Sequence, residues 1–155
     1  MKGDERIIEK LNALLADELT AINQYIVHSE MCANWGYERL HGVIEKRAID
    51  EMKHAEQLIG RILFLEGQPI VSNLNPMHIG AEVAKQLAND WAAEEAAIRD
   101  YNEGIRLAVE LADNGTRELL GAILKDEEAH IDWIETQQGQ IEQIGIQNYL
   151  VEQLH

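Results

Sequence analysis

Apolar side chains recur every three or four residues along four long segments of the chain, which is the period of an amphipathic α-helix. Such stripes must be buried against other helices, so the pattern favours a helical bundle. The stripes read Ile7, Leu11, Leu14, Glu18, Ala21, Tyr25; Ile44, Ala48, Glu51, Ala55, Leu58, Ile62, Leu65; Leu87, Trp91, Glu94, Ile98, Tyr101, Ile105, Ala108; and Leu120, Ile123, Glu127, His130, Ile134. Each apolar stripe therefore contains one Glu.

The breaks between stripes define the predicted helices, which cover residues about 4–34, 38–66, 82–112 and 115–144, with a short one at about 146–154. Asn34-Trp35-Gly36 supplies a stop for the first helix, and Gly67 is a plausible C-cap for the second. The only long connection, Gly67–Gly80, contains both prolines and must cross the length of the bundle. The sequence therefore predicts one all-α domain, 1–155: a four-helix bundle with one long crossover and a short fifth C-terminal helix.

The charge of the chain limits its partners. With 13 Lys and Arg against 28 Asp and Glu, the formal net charge is −15. Such a chain lacks the basic patch that binds nucleic acid or an anionic membrane. No apolar run approaches the roughly 18 residues that a membrane span requires. Because Cys32 is the only cysteine, an internal disulfide and a Cys-built metal site are excluded within one chain. We expect a cytoplasmic protein, since MKGDERIIEK has no apolar signal core.

An internal repeat relates the two halves of the chain. ADELTAINQY (Ala16–Tyr25) aligns with AAEEAAIRDY (Ala92–Tyr101), and DEMKHA (Asp50–Ala55) with DEEAHI (Asp126–Ile131). One offset of 76 residues relates all four key positions of the first half to those of the second: Glu18, Tyr25, Glu51 and His54 to Glu94, Tyr101, Glu127 and His130. The two helical hairpins should therefore be related by a pseudo-two-fold axis.

The repeated Glu and His residues have the pattern of a metal site. A lone Glu on an apolar stripe is more often a solvated edge residue, but four at matched positions would converge inside the bundle. Four buried carboxylates repel one another, and no Lys or Arg lies on these stripes to neutralise them. A Glu from each of two helices and Glu-x-x-His from the other two is the donor set of di-iron and di-manganese helical bundles. These oxygen and nitrogen ligands suit iron or manganese, and zinc also fits them.

With those residues in place, the chain resembles the bacterioferritins, the haem-containing branch of the ferritin family. The resemblance covers nearly the whole length and is densest at MKGD (Met1–Asp4), LNALLADELTAINQY (Leu11–Tyr25), IDEMKHAE (Ile49–Glu56), RILFLEG (Arg61–Gly67), DEEAHIDWIETQ (Asp126–Gln137) and NYL (Asn148–Leu150). It implies that Glu51 and Glu127 bridge two iron ions in each subunit. One iron is completed by Glu18 with His54, and the other by Glu94 with His130.

The same resemblance implies a ferroxidase that binds Fe(II), oxidises it with dioxygen or peroxide, and stores a ferric mineral core. The storage vessel would be a hollow cage of 24 identical subunits built of dimers, and a ferredoxin-type protein is a candidate electron donor. A di-iron or di-manganese oxidase, peroxidase or catalase-like enzyme is the alternative. A non-catalytic haem-binding or structural bundle is a further one.

Met52 follows Glu51, so it projects about 100° away from the apolar stripe. An outward Met usually packs between helices, but a thioether is also an axial haem ligand. In a protein that resembles a bacterioferritin, this position implies one haem b per subunit pair, held by Met52 from each of two subunits. Met31 and Trp35 are candidate residues for lining that pocket.

Three aromatic residues lie near the predicted site. Tyr25 is two turns beyond Glu18 and is a candidate to supply an electron or a hydrogen bond there, whereas Tyr101 and Trp133 are interpreted as core residues. The remaining histidines have no ligand spacing and are expected to be solvated or hydrogen-bonded: His28, His41, His78 and His155.

One departure from the family pattern concerns a further iron site on the inner surface. Some relatives pair a His one turn before Glu51 with an Asp. Here Asp50 is present, but Lys46 occupies the His position, which argues against such a site.

Overall fold

The computed structural model describes all 155 residues and contains five α-helices and no strand. Their bounds are α1 Glu5–Asn34, α2 Glu38–Phe64, α3 Val83–Glu110, α4 Asn114–Ile144 and α5 Ile146–Val151. α1 packs most closely on α2, and α3 on α4, so the two hairpins of the sequence are the two halves of the bundle. The predicted all-α bundle with a crossover and a fifth helix is confirmed. None of the helices has a stretch apolar enough to cross a membrane.

The ends of the helices refine the expected boundaries. Gly36 has φ of 86° after α1, as expected for a helix stop. After α2 the left-handed residue is Glu66 with φ of 62°, not Gly67, so α2 ends at Phe64 rather than at 66. The Gly67 N–H donates to the Ile62 carbonyl at 2.9 Å, which completes a Schellman turn.

The C-terminal helix is shorter than expected. α5 ends at Val151 rather than at about residue 154, because the chain turns and the Gln153 N–H donates to the Leu150 carbonyl at 3.0 Å. The Gln153 carbonyl accepts from the Arg39 N–H at 3.1 Å, which ties this turn to the start of α2.

The crossover, residues 65–82, runs alongside α1 in the same direction. Its backbone is held by polar side chains of α1 that occur in the same order as their partners. The backbone N–H groups of Ile70, Asn75, His78 and Gly80 donate to Asn12, Thr20, Gln24 and His28, over distances of 2.8, 2.8, 3.1 and 3.0 Å. These partners span roughly 24 Å of α1 at 1.5 Å per residue. The segment therefore covers most of the length of the bundle, as predicted.

The hydrophobic core is divided into two clusters. One contains Ile7, Leu11, Leu14, Leu15, Ala55, Leu58, Ile62, Leu65, Tyr101, Ala108, Leu120 and Ile123. The other contains Tyr25, Cys32, Leu40, Ile44, Ala48, Val83, Leu87, Ile134 and Tyr149. On every long helix the charged residue of the stripe lies between a member of one cluster and a member of the other. The core therefore encloses a charged layer at mid-bundle.

Candidate metal centre

The charged layer consists of four carboxylates and two imidazoles, one Glu from each helix and one His from each of α2 and α4. Its six residues are between 1% and 6% exposed: Glu18, Glu51, His54, Glu94, Glu127 and His130. All six lie well inside long helices, whose backbone hydrogen bonds hold the side chains in a rigid frame. All six residues predicted from the spacing are therefore brought together.

These residues form two overlapping groups of four. Glu18, Glu51, His54 and Glu127 form one, and Glu51, Glu94, Glu127 and His130 form the other, with one ligand atom from each member within 4.8 Å of the rest. Glu51 and Glu127 belong to both groups. The centre therefore has the pseudo-two-fold symmetry of the repeat, with two shared carboxylates between two terminal Glu–His pairs.

Each of the six side chains has one buried polar atom with no hydrogen-bond partner. The atoms are Glu18 Oε2, Glu51 Oε1, His54 Nδ1, Glu94 Oε2, Glu127 Oε1 and His130 Nδ1. His54 Nδ1 is 3.0 Å from Glu127 Oε1, and His130 Nδ1 is 3.0 Å from Glu51 Oε1, yet neither pair is aligned as a hydrogen bond. Buried polar atoms are nearly always paired, so six converging orphans fit cations that would be bound among them.

The contact of the outer nitrogen of each imidazole determines which nitrogen is free to bind a cation when the ring is neutral. His54 Nε2 lies 2.8 Å from Asp126 Oδ2, and His130 Nε2 lies 3.4 Å from Asp50 Oδ2. A carboxylate only accepts, so a neutral ring keeps its hydrogen on Nε2 and directs the Nδ1 lone pair into the centre. Carboxylate-supported imidazoles of this kind are typical of metal ligands. Each Asp supports the His of the opposite hairpin.

Sequence reasoning did not find this support by the two aspartates. The signal was present, since Asp50 and Asp126 directly precede Glu51 and Glu127 in the repeated D-E-x-x-H pattern. That each Asp reaches across to the other motif's His depends on how α2 and α4 face each other.

Two buried tyrosines hold the terminal carboxylates in the same crossed way. The Tyr25 hydroxyl on α1 donates to Glu94 Oε1 on α3, and the Tyr101 hydroxyl on α3 donates to Glu18 Oε1 on α1 at 2.5 Å. Tyr25 was expected to reach the site. Tyr101 was interpreted as a core residue only; it is one, but it also positions a carboxylate of the centre.

Electrostatics make this layer unfavourable without cations. Burial raises the pKa of Glu51 and Glu94 well above the usual carboxylic range, and repulsion from neighbouring carboxylates adds to it. Burial alone would lower the pKa of both histidines. Contacts with Glu127 and the terminal glutamates outweigh it and raise the pKa of His54 to about 11 and that of His130 to about 9. The layer therefore retains protons that bound cations would displace.

A cavity of about 290 Å³ leads to the centre. It lies between α1 and α3 and beneath the crossover, where Asn75, Pro76 and His78 form part of its wall. At its inner end are all four glutamates of the centre. Small ions and molecules of the size of dioxygen fit into this space.

The residues predicted for haem lie elsewhere. Met52 is 47% exposed on the outside of α2, as expected from its position one residue after Glu51. Met31 and Trp35 line an apolar groove at the end of α1 together with Ile26 and Val27. These side chains belong to the surface of the subunit and do not take part in the buried centre.

Lys46, which occupies the His position of the family pattern, forms an ion pair with Asp50. The Lys46 ammonium lies 3.7 Å from Asp50 Oδ2, and the same oxygen faces His130 Nε2. The chain thus supplies its own cation next to Asp50.

The bundle and its buried Glu–His layer place the chain in the class of ferritin-like proteins, and it matches the family described as Ferritin-like domain over residues 8–144. It is 39% identical over 149 residues to the Bacterioferritin of Rhodobacter capsulatus, covering 96% of this chain and 92% of the relative. The Bacterioferritin of Brucella melitensis is 40% identical over 149 residues, with the same shares of each chain. The Bacterial ferritin of Synechocystis is 41% identical over 155 residues, or 99% of both chains. The chain belongs to the bacterioferritin family, as the resemblance predicted.

Replacing Asp126 by Ala should weaken metal binding at the centre. His54 would lose the acceptor that fixes its tautomer and ring orientation, and the expected loss in affinity is about 10–100-fold. Calorimetric titration of the metal-free protein with Zn²⁺ measures it. Glu128→Ala is the matched control, because Glu128 is an exposed acidic neighbour on the same helix. Equal affinity for the two variants would contradict the assigned role of Asp126.

The metal-free protein should become less stable as pH rises from 6.5 to 9. The pKa of His130 is raised from 6.5 to about 9, so its stabilising contribution is complete below 6.5 and lost as pH rises through 9. The raised pKa values of Glu51 and Glu94 act in the same direction from pH 4.5 upward, because their protonated forms are favoured in the folded chain. We expect a decrease of a few kcal/mol in the free energy of unfolding.

Thermal unfolding with and without saturating Zn²⁺ measures this dependence. Bound metal takes the place of the protons, so the unfolding temperature should decrease less steeply with rising pH when Zn²⁺ is present. A metal-free stability that is flat or rises over this range would contradict the assignment.

Proposed function

We propose that this protein is an iron-storage ferroxidase, which binds Fe(II) at the buried centre, oxidises it with dioxygen or peroxide, and stores the ferric product. The six unpartnered polar atoms at mid-bundle carry this proposal, because they converge on one buried layer in which no Lys or Arg pairs with the four glutamates. Membership of the bacterioferritin family supports iron as the metal, since the relatives' names denote ferritins.

The symmetry of the centre indicates the role of each ligand. Glu51 and Glu127, which belong to both groups of four, would bridge two iron ions. Glu18 with His54 would complete one site, and Glu94 with His130 the other. Four carboxylates balance the charge of two divalent cations, and the neutral imidazoles add none. The donor set thus matches two Fe(II) ions in both number and charge.

The protein residues contribute positioning, electrostatics and exclusion of water. Iron supplies the redox chemistry, one electron from each Fe(II) passing to the oxidant. The carboxylates stabilise the higher charge of Fe(III). Tyr25 and Tyr101 hold the terminal glutamates. Asp50 and Asp126 hold the imidazoles. These contacts would keep the ligands in place when the charge of the iron changes. Tyr25 also lies close enough to Glu94 to be a candidate electron donor.

The cavity between α1 and α3 would bring ferrous ion and oxidant to the centre. Its inner wall consists of the four carboxylates, which attract a cation, and its outer wall includes the backbone-anchored crossover. The net charge of −15 also favours the approach of cations to the assembled protein.

Storage requires a vessel, and we propose a hollow cage of 24 subunits assembled from dimers and enclosing a ferric mineral core. The support is the family, whose relatives match over nearly their full length. A cytoplasmic location and a ferredoxin-type electron donor for iron release are parts of the same proposal.

The outer face of the α1–α2 hairpin fits a haem b shared by two subunits. The Met52 thioether is exposed on α2, and Ile26, Val27, Trp35 and Ile49 are exposed apolar residues of the same hairpin, each at least 36% accessible. A haem would cover such surface, and two copies of Met52 would supply two axial sulfur ligands.

Aerobic addition of excess Fe(II) tests the storage function. The protein should oxidise Fe(II) rapidly and keep many irons per subunit in solution, whereas retention that stops near two per subunit would reject storage and favour a di-iron oxidase.

Glu127→Gln removes a bridging ligand and should slow the fast phase more than about 100-fold, since even supporting residues of metal sites change activity 10–100-fold. The exposed neighbour variant Glu128→Gln should behave like the wild type. Unchanged kinetics in Glu127→Gln would remove Glu127 from the site.

Replacing Met52 by His tests haem ligation. The substitution exchanges thioether for imidazole, so the absorption spectrum of haem-loaded protein should shift, while Met52→Leu should abolish the bis-thioether spectrum. Met77→Leu is the control, because Met77 lies on the crossover and not on this face. An identical spectrum in Met52→His would exclude axial ligation by Met52. Neither Met52 variant should alter the fast oxidation of Fe(II) at the buried centre.

A further inference from the structure

A second set of metal-ligating side chains lies on the surface of the α1–α2 hairpin, near its turn. Glu30 belongs to the last part of α1, and His41 and Glu45 to the first two turns of α2. One ligand atom from each lies within 4.8 Å of the other two. None of the three residues belongs to the buried centre, and none has a repeat-related counterpart of the same type, since positions 106, 117 and 121 are Arg, Arg and Gly.

The imidazole of His41 is held in the orientation and tautomer that a metal ligand needs. His41 Nδ1 lies 3.0 Å from the backbone carbonyl oxygen of the buried residue Ser29. A carbonyl can only accept, so Nδ1 carries the hydrogen and, in the neutral ring, Nε2 exposes its lone pair. The His41 side chain is 22% exposed, which leaves this nitrogen accessible at the surface. Histidines that bind transition metals commonly donate their other ring N–H to a backbone carbonyl in this way.

The contacts of His41 Nε2 leave room for a cation. Its nearest carboxylate oxygen, Glu45 Oε2, is 3.7 Å away, too far for a hydrogen bond. Glu30 adds a second negative charge, and no Lys or Arg forms an ion pair with either glutamate. An imidazole nitrogen and two carboxylates thus lie close together, and no Lys or Arg neutralises the carboxylates.

We propose that Glu30, His41 and Glu45 bind one divalent first-row transition-metal ion, with water in the remaining positions. The two carboxylates and one imidazole suit Zn²⁺, Fe²⁺ or Mn²⁺, whereas Mg²⁺ and Ca²⁺ prefer all-oxygen sites. The bound ion joins α1 to α2 across the turn at Trp35–Tyr37. Glu30 also borders the apolar groove that contains Met31 and Trp35, so the ion removes negative charge from the rim of that groove.

Calorimetric titration of the metal-free protein with Zn²⁺ tests this site. The wild type should bind three ions per chain, two in the buried centre and one at the surface. His41→Gln and Glu45→Gln should each bind two. Glu45 is exposed and its replacement by Gln is conservative, so that variant keeps the test valid if His41→Gln does not fold. His155→Gln, which alters an exposed histidine at the end of α5's tail, should retain three.

Glu127→Gln separates this inference from the proposed function. That variant should weaken Zn²⁺ binding at the buried centre and keep the His41-dependent ion. Co²⁺ added to it should give a visible absorption band that disappears when His41→Gln is combined with it. If both surface variants still bind three Zn²⁺, or if the Co²⁺ band survives the loss of His41, the surface site does not exist. If the wild type binds only one Zn²⁺ per chain, and this ion depends on His41 but not on Glu127, the buried centre is wrong and the surface site stands.

Discussion

The burial of four carboxylates at the middle of the bundle is the constraint on which the rest of the structure depends. Each buried charge without a partner costs several kcal/mol, and the basic groups inside this layer are the two imidazoles of His54 and His130. Protons reduce the repulsion, as the raised pKa values of Glu51 and Glu94 indicate, but they leave six polar atoms without partners. Two divalent cations would satisfy the charge and the unpaired atoms at once. The two apolar clusters on either side provide the cohesion that makes such a layer tolerable.

The second organising feature is that side chains of each hairpin hold the Glu and His residues of the other hairpin. Each half of the repeat contributes a tyrosine and an aspartate that bond to ligands of the other half: Tyr25 to Glu94, Tyr101 to Glu18, Asp126 to His54 and Asp50 to His130. The hairpins are therefore coupled through the centre itself. A metal ion bound by residues of all four helices would act on both halves, so its binding would be linked to the stability of the bundle.

Most of the bundle and all six residues of the buried centre follow from the sequence, because helical periodicity and a constant offset of 76 residues are visible without coordinates. The contacts of the supporting Tyr and Asp residues do not follow from the sequence alone. Tyr101 fits an apolar stripe equally well as a packing residue, and its hydroxyl contact depends on the distance between α1 and α3. His41 has no ligand at helical spacing on α1, so its relation to Glu30 appears only when the hairpin closes.

By itself, the sequence determined the number of helices, the position of the crossover, the residues of the buried centre and the outward direction of Met52. These properties depend on spacing along one helix or on a repeat, which are local quantities. The tertiary structure decided which Asp holds which His, which Tyr holds which Glu, and that Glu66 rather than Gly67 adopts the left-handed turn. Those outcomes depend on the rotation and axial register of one helix against another, and they are set by packing between residues far apart in the chain.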